Sequence, residues 1–128
     1  MTTRKLTDKI IIEDLRVHGI LGIYPQERQT PQEICINIVV YTDISRAAQT
    51  DDIADCVDYA ALAEQVKTHV ENTARFTVEA LAEDIAALCL QSNKRVKQVR
   101  VRVEKPEAVP EAASVGVEIT RRKGRGKV

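Results

Sequence analysis

Residues 33–41 read EICINIVVY, and the apolar side chains of this stretch alternate along the chain. In a β-strand the three isoleucines and the second valine share one face, while the residues between them point to the other face. A β-branched run at 9–17 and alternating β-branched residues at 99–103 and 115–119 predict three further strands. We therefore expect four strands, and the strand at 33–41 should have one face drier than the other.

Between the second and third strands the apolar spacing becomes helical. One apolar stripe begins at Tyr59, with Asp58 as its predicted N-cap, and a second begins at Val78, with Thr77 as its cap. The order β-β-α-α-β-β predicts an α+β protein in which two helices cover one face of a four-stranded antiparallel sheet. Because such a sheet leaves edge strands and much of one face uncovered, we expect self-association.

Charge and length narrow the range of partners. The chain carries 19 Lys plus Arg and 19 Asp plus Glu, so no net charge favours nucleic acid or an anionic membrane. We interpret residues 1–128 as a single domain, and the basic segment 121–128 as a frayed, solvated tail. No stretch reaches the ~20 apolar residues that a membrane-spanning helix needs.

The cysteines favour a reducing compartment, and the histidines predict no metal site. The three cysteines form an odd set without a C-x-x-C pair, which favours the cytoplasm. The two histidines match no zinc-binding spacing, so neither a metal site nor a cofactor is expected. A small molecule or a second copy of the chain is therefore the expected partner.

Four positions carry a polar or titratable side chain where the local pattern would accept a less reactive one: Glu27, Tyr59, Glu79 and Lys105. Glu27 lies in the long connection between the first two strands, and its position alone favours a solvated loop carboxylate. Tyr59 begins a helix on its apolar side, where an aromatic residue at the edge of the core, with its hydroxyl in water, is common.

Glu79 and Lys105 each have a structural and a chemical interpretation. A carboxylate in the first turn of a helix is stabilised by the helix dipole, but Glu79 also flanks the apolar stripe and could bind two N–H donors of a flat heterocycle. Lys105 ends the third strand immediately before Pro106, where its side chain can enter a cleft. A lysine partly removed from water can act as a general acid or base, whereas a solvated one at a strand end would have no chemical role.

Four segments, taken together, resemble a known family. They read GIYPQERQTPQ at 22–32, TDDIADCVDY at 50–59, FTVEALAE at 76–83 and VRVEKP at 101–106. Their order and spacing resemble dihydroneopterin aldolase over nearly the whole chain, from about residue 9 to 121. The resemblance implies the tunnelling fold assembled into rings, usually as an octamer of two tetrameric rings with active sites at the interfaces.

The resemblance also implies a metal-independent lyase of folate biosynthesis. Members split 7,8-dihydroneopterin by a retro-aldol step into 6-hydroxymethyl-7,8-dihydropterin and glycolaldehyde, and the reduced pterin itself stores the electron pair. Lys105 would provide acid–base catalysis, Glu27 would hold the side-chain hydroxyls, and Glu79 would anchor the N–H edge of the ring. Tyr59, supplied by a neighbouring chain, would donate or relay a proton.

Backbone groups near the ring complete the site that the resemblance implies. Val57, Asp58 and Val78 would line the pterin pocket. Members often carry His, Ser or Asn at the position of Asp58. The sequence departs from the family at this position, so the resemblance does not establish a substrate contact for Asp58.

Related activities define the alternatives. A dihydroneopterin triphosphate epimerase would need several basic groups for the phosphates, and only Arg28 qualifies by its position. In a dihydroneopterin oxygenase the intermediate would not be protonated promptly, and the presence of Tyr59 argues against that as the main activity. A non-catalytic pterin- or purine-binding ring would use Glu79 without needing Glu27 and Lys105 together. Pyruvoyl-tetrahydropterin synthase binds zinc through three histidines, and this sequence has two.

Overall fold

The computed structural model describes residues 8–124. The elements, in chain order, are β1 (Lys9–Gly19), α1 (Pro25–Gln29), β2 (Gln32–Tyr41), α2 (Ser45–Thr50), a 3₁₀ turn (Ile53–Asp55), α3 (Tyr59–Thr73), α4 (Val78–Ser92), β3 (Gln98–Lys105) and β4 (Val115–Arg122). The four strands and the two long helices follow the predicted order β-β-α-α-β-β. The α+β class is confirmed.

The four strands form one antiparallel sheet in the order β1-β2-β3-β4, so β1 and β4 are its edges. The strand termini at one end of the sheet, called the lysine end below, are Gly19, Gln32, Lys105 and Val115. The termini at the other end, called the arginine end, are Lys9, Tyr41, Gln98 and Arg122. Residues far apart in sequence therefore meet at each end.

The core lies between the sheet and the two long helices, and β2 supplies its centre. The four alternating apolar residues from Ile34 to Val40 are fully buried, whereas Asn37 and Val39 on the other face are only partly buried. The predicted difference between the two faces is confirmed. Cys35 is an exception on the second face: it is buried, its Sγ lies 3.4 Å from Asp14 Oδ1, and burial raises the pKa of its thiol.

A β-bulge in β1 keeps the apolar side chains of that strand on the core face. The pairing register shifts between Ile12 and Leu15, so that Glu13 and Asp14 together lie opposite Asn37. Asp14 takes a positive φ of 55°, and its backbone N–H donates to Asn37 Oδ1 at 2.8 Å. The extra residue moves the alternation by one position, which lets both Ile12 and Leu15 pack against the core.

The two long helices run in opposite directions across the sheet. Helix α3 packs on β1 and ends at the lysine end, where a Cβ on Gly19 would touch the backbone of Val70. Helix α4 packs on β3 and β4 and ends at the arginine end, where Lys123 Nζ donates to the carbonyl of Asn93 at 3.1 Å. Within the part of the chain that the structure describes, neither these nor the shorter helices have the length and apolar character to cross a bilayer.

Both predicted helix caps are confirmed. Asp58 Oδ1 accepts the backbone N–H of Ala61 at 3.0 Å, and Thr77 Oγ1 accepts that of Ala80 at 3.1 Å. The short helices α1 and α2 and the 3₁₀ turn were not predicted. None of them buries a residue, so their sequences carry no apolar stripe that would reveal a helix.

The frayed tail predicted for 121–128 begins too early. Strand β4 continues to Arg122, and Arg121 Nε donates to Glu83 on α4 at 2.7 Å. The backbone N–H of Lys123 donates to the carbonyl of Lys97 at 2.9 Å. These backbone and side-chain bonds outweigh the tendency of a terminal segment to fray. Residues 125–128 lie outside the described residues.

Candidate active site

Two predicted catalytic residues, 78 positions apart, meet at the lysine end. Lys105 is the last residue of β3, and Pro106 directs the chain out of the sheet after it. Its Nζ donates to Glu27 Oε2 at 3.0 Å, and the side chains are only 18% and 15% exposed. A charged pair this shielded from water can exchange or orient a proton on a molecule bound beside it.

Glu27 is held by three donors. Besides Lys105, the backbone N–H of Tyr24 donates to Oε1 at 3.2 Å and Gln32 Nε2 donates to Oε2 at 3.3 Å. Burial by itself would raise the pKa of Glu27, but the bonds from Lys105, Tyr24 and Gln32 outweigh burial and hold the pKa below its usual value. At neutral pH the group is therefore a carboxylate with a fixed orientation.

The connection that carries Glu27 contains the one-turn helix α1 rather than an open loop. Pro25 is the first residue of α1, where a missing N–H costs nothing, and Glu27 lies in its first turn. Its position in the sequence alone favoured a solvated loop carboxylate. The structure instead places Glu27 on a short, ordered turn that aims its carboxylate at Lys105.

Gln32 belongs to the same cluster and was missed. Its Nε2 donates to the carbonyl of Leu21 at 2.8 Å as well as to Glu27, so it ties the start of β2 to two points of the preceding connection. The available signal was a long polar side chain at the first position of a strand, directly after Pro31. Such residues are common at strand starts, so the sequence alone could not distinguish this one.

Gly22 leaves room for the carboxylate. It has a φ of 129°, a conformation that L-residues avoid, and a Cβ at this position would overlap the carboxylate of Glu27. The glycine is therefore required by both the backbone and the site.

Gly22→Ala is expected to push the Glu27 carboxylate away from Lys105 and to cost about 1–3 kcal/mol of stability through backbone strain. Because burial then acts on Glu27 without the opposing bond, the pKa of Glu27 should rise. A carbon-13 NMR titration of labelled glutamate and thermal denaturation would measure both effects. The matched control is Gly124→Ala, since a Cβ there meets nothing within 4 Å. An unchanged Glu27 titration in the Gly22 variant would contradict the assignment.

Glu79 and Val78 lie at the lysine end as well. They form the first turn of α4, directly after the cap Thr77. Val78 is half-buried against the core, whereas the side chain of Glu79 is exposed in the single chain. The partial removal of Glu79 from water that the sequence suggested is therefore not provided by one chain alone.

Val57, Asp58 and Tyr59 lie at the arginine end, at the start of α3. Tyr59 is 62% exposed, Val57 is buried, and the carboxylate of Asp58 caps the helix. Tyr59 and Val57 line a cavity of about 380 Å³ together with apolar residues that include Ile10 and Ile44. The 15 residues of α3 separate this cavity from the Glu27–Lys105 pair by roughly 20 Å, at 1.5 Å per helical residue.

The predicted site residues of one chain thus form two groups, called half-sites below, at opposite ends of its sheet. The lysine end holds two carboxylates and an amine, and the arginine end holds the phenol beside an apolar cavity. All four groups can face one ligand only if the arginine end of a second copy approaches the lysine end of the first. Within residues 8–124 no group of three or more His, Cys, Asp or Glu side chains is arranged to bind a metal ion.

Comparison with known proteins identifies the family. The sequence model described as dihydroneopterin aldolase (FolB) matches residues 10–120. The chain belongs to the dihydroneopterin aldolase family. It is 40% identical to the dihydroneopterin aldolase of Escherichia coli K12 over 114 residues, which cover 89% of this chain and 93% of that protein. A folic acid synthesis protein of Dictyostelium discoideum is 36% identical over 89% of this chain, which spans only 17% of that longer protein.

Solved structures of the family agree with the fold. Escherichia coli dihydroneopterin aldolase in complex with neopterin superimposes with a TM-score of 0.85 at 40% identity, covering 90% of this chain and 99% of that chain. A Burkholderia dihydroneopterin aldolase bound to guanine gives a TM-score of 0.78 at 27% identity, with 91% and 92% covered. The resemblance that the four segments indicated is confirmed, and so is the tunnelling fold of this family.

Proposed function

We propose that the chain cleaves 7,8-dihydroneopterin into 6-hydroxymethyl-7,8-dihydropterin and glycolaldehyde, a lyase step of folate biosynthesis. The observation that carries this proposal is the shielded ion pair between Lys105 Nζ and Glu27 Oε2, 3.0 Å apart, in a member of the aldolase family. A non-catalytic ring that binds a pterin through Glu79 would not need Glu27 and Lys105 together.

The reaction needs one proton removed and one delivered. When the C2′ hydroxyl of the substrate loses its proton, that carbon becomes the carbonyl of glycolaldehyde and the C1′–C2′ bond breaks. The electron pair passes through C6 to the imine nitrogen of the reduced pterin, and protonation of C1′ then gives the hydroxymethyl product. Because the ring stores the pair, the protein has only to move protons and stabilise charge.

Lys105 and Glu27 suit the proton-removing half. The carboxylate of Glu27 can accept hydrogen bonds from the substrate hydroxyls, since its pKa is held below the usual value. Lys105, next to it, would first release its own proton, and its free amine can then take up the hydroxyl proton, directly or through a bound water, and return it. Gln32, which donates to Glu27, keeps that carboxylate oriented and thereby fixes where the hydroxyls bind.

Glu79 suits the recognition of the ring. Neopterin and guanine, which two relatives bind, share an amino-pyrimidinone edge with adjacent N–H donors. A carboxylate can accept both donors of that edge in a bidentate way. Val78 beside it, together with Val57 and Asp58 from a second copy, would line the ring.

Assembly would complete the site. The phenol of Tyr59 is separated from Lys105 along the whole of α3, so we assign it to a neighbouring copy, where it would donate or relay the proton. Exposed apolar side chains support burial against copies of the chain, among them Ile11 at 61% and Ile53 at 83%. We propose tetrameric rings paired into an octamer, acting in the cytoplasm.

The direct test is to incubate the purified protein, without added metal, with 7,8-dihydroneopterin and separately with its triphosphate. We expect glycolaldehyde and 6-hydroxymethyl-7,8-dihydropterin from the first. Predominant epimerisation of the triphosphate, or an oxidised pterin as the main product, would replace this proposal by one of the related activities. Tight pterin binding without turnover would leave the non-catalytic ring as the interpretation.

Glu79→Ala is expected to weaken binding of the product pterin by about 10²-fold, because two charge-assisted hydrogen bonds to the ring are lost. Titration calorimetry with 6-hydroxymethyl-7,8-dihydropterin would measure the change. Glu83→Ala is the control, since Glu83 lies one turn further along α4 and pairs with Arg121. Equal affinity of the Glu79 variant and the parent would remove Glu79 from the ring site.

A further inference from the structure

The guanidinium of Arg28 is held by three backbone carbonyls. Its Nη1 donates to the carbonyls of Gly22 at 3.0 Å and Arg75 at 3.1 Å, and its Nη2 donates to that of Ala74 at 3.0 Å. Gly22 opens the connection that carries Glu27, whereas the other two acceptors follow the last turn of α3. One guanidinium therefore joins two segments that are far apart in sequence.

The acceptors are well placed for a cation. Helix α3 ends where Ala74 takes a left-handed conformation with a φ of 49°, and the carbonyls at a helix C-terminus carry partial negative charge. The guanidinium also stacks on the ring of Phe76 at 4.0 Å. A backbone hydrogen bond from Gly22 N–H to the carbonyl of Arg75, at 3.3 Å, runs parallel to these contacts.

The segment that Arg28 binds is itself fixed. The side chain of Arg75 donates from Nε and Nη2 to both carboxylate oxygens of Asp84, each at 2.8 Å, and His69 Nε2 lies 2.8 Å from Asp84 Oδ2. These contacts hold α3, α4 and their connection together. Two residues after Phe76 the chain enters α4, whose first turn carries Glu79.

We propose that Arg28 is a positioning residue that fixes the carboxylate of Glu27 relative to the first turn of α4, so that a ring anchored at Glu79 presents its side chain to Glu27 and Lys105. Glu27 and Arg28 are neighbours on the single turn of α1, so the docking of one sets the direction of the other. This inference rests on the proposed function of the Glu27–Lys105 pair and of Glu79.

The same geometry corrects the role that the sequence left open for Arg28. By its position in the sequence it was the basic group that qualified to bind a substrate phosphate. The N–H groups of its guanidinium instead donate to three main-chain carbonyls. Binding a phosphate would require breaking the hydrogen bonds by which Arg28 holds α1 in place. Arg28 therefore gives no support to a triphosphate substrate.

The test compares Arg28→Ala, Arg28→Lys and the control Arg121→Ala, which removes a surface ion pair between β4 and α4. Displacement of a catalytic group by about 1 Å can cost 10²-fold in rate, so we expect Arg28→Ala to lower kcat by about 10–10²-fold. The affinity for 6-hydroxymethyl-7,8-dihydropterin, which we assign mainly to the contact between the ring and Glu79, should change less than about threefold. The rate is to be expressed per binding site counted by calorimetry, because an unfolded fraction would lower the number of sites and the apparent rate together, and kcat per site would then equal that of the parent.

Two further results distinguish positioning from general support. Lysine keeps the charge and can reach one or two of the carbonyls, so Arg28→Lys should recover part of kcat. If Arg28 acts through Glu27, the effects of Arg28→Ala and Glu27→Gln should be strongly non-additive in a double-mutant cycle. Additive effects, or a kcat unchanged in Arg28→Ala, would overturn the inference.

A measurement independent of turnover separates this inference from the proposed function. In Arg28→Ala the amide of Gly22 should exchange with deuterium faster than in the parent, while the Arg121→Ala control should match the parent. If the parent protein fails to cleave dihydroneopterin, the proposed function is wrong, and faster exchange would still support the coupling of the two segments. Unchanged exchange at Gly22 would overturn that coupling whatever the activity.

Discussion

Replacing Lys105 by alanine is expected to lower kcat for dihydroneopterin cleavage by about 10²–10⁴-fold, the range that a positioned general acid–base group contributes. Affinity for the product pterin should be nearly unchanged, because the ring is held by Glu79 rather than by the amine. Single-turnover cleavage and calorimetry with the product would measure the two quantities separately.

The Lys105→Ala substitution also changes the pKa of Glu27. Without Lys105, burial raises the pKa of Glu27 while only the bonds from Tyr24 and Gln32 still lower it. The remaining activity should therefore need a higher pH than the parent, since Glu27 must be ionised to accept the hydroxyl protons. Lys67→Ala, on the exposed side of α3, is the matched control and should behave like the parent. Release of glycolaldehyde by the Lys105 variant at the parent rate would end the assignment of the pair.

Mixed assemblies of two inactive variants are expected to regain activity. If Tyr59 comes from a neighbouring copy, a 1:1 mixture of Lys105→Ala and Tyr59→Phe chains contains about one intact site in four, because each site draws on two chains. Co-expression with different tags and purification through both would give such assemblies, and their rate of cleavage should approach a quarter of the parent rate.

The control for this experiment pairs two variants of the same half-site. Lys105 and Glu79 both lie at the lysine end of one chain, so a mixture of Lys105→Ala with Tyr59→Phe should differ from a mixture of Lys105→Ala with Glu79→Ala. Only the first can assemble an intact site. If Tyr59 acted within its own chain, neither mixture would recover, and the interface site would have to be abandoned.

The sequence predicted those strands and helices whose side chains divide into a buried face and an exposed face. The alternating isoleucines of β2, the helical stripes after Asp58 and Thr77, and both caps are found where the pattern predicted them. The bulge at Asp14 and the turns α1 and α2 were not predicted. They depend on backbone conformation and polar contacts, which leave no periodic trace.

The sequence by itself determined the order of elements, the fold class and, through four short segments, the family, and it supplied the residues that we propose for the chemistry. Only the tertiary structure decided which of those residues meet. Antiparallel pairing brings the end of β3 beside the start of β2, and so places Lys105 next to Glu27, whereas the length of α3 keeps Tyr59 at the far end of the same chain. Burial patterns are encoded locally by each residue's affinity for water, but a distance between side chains depends on the packing of the whole sheet.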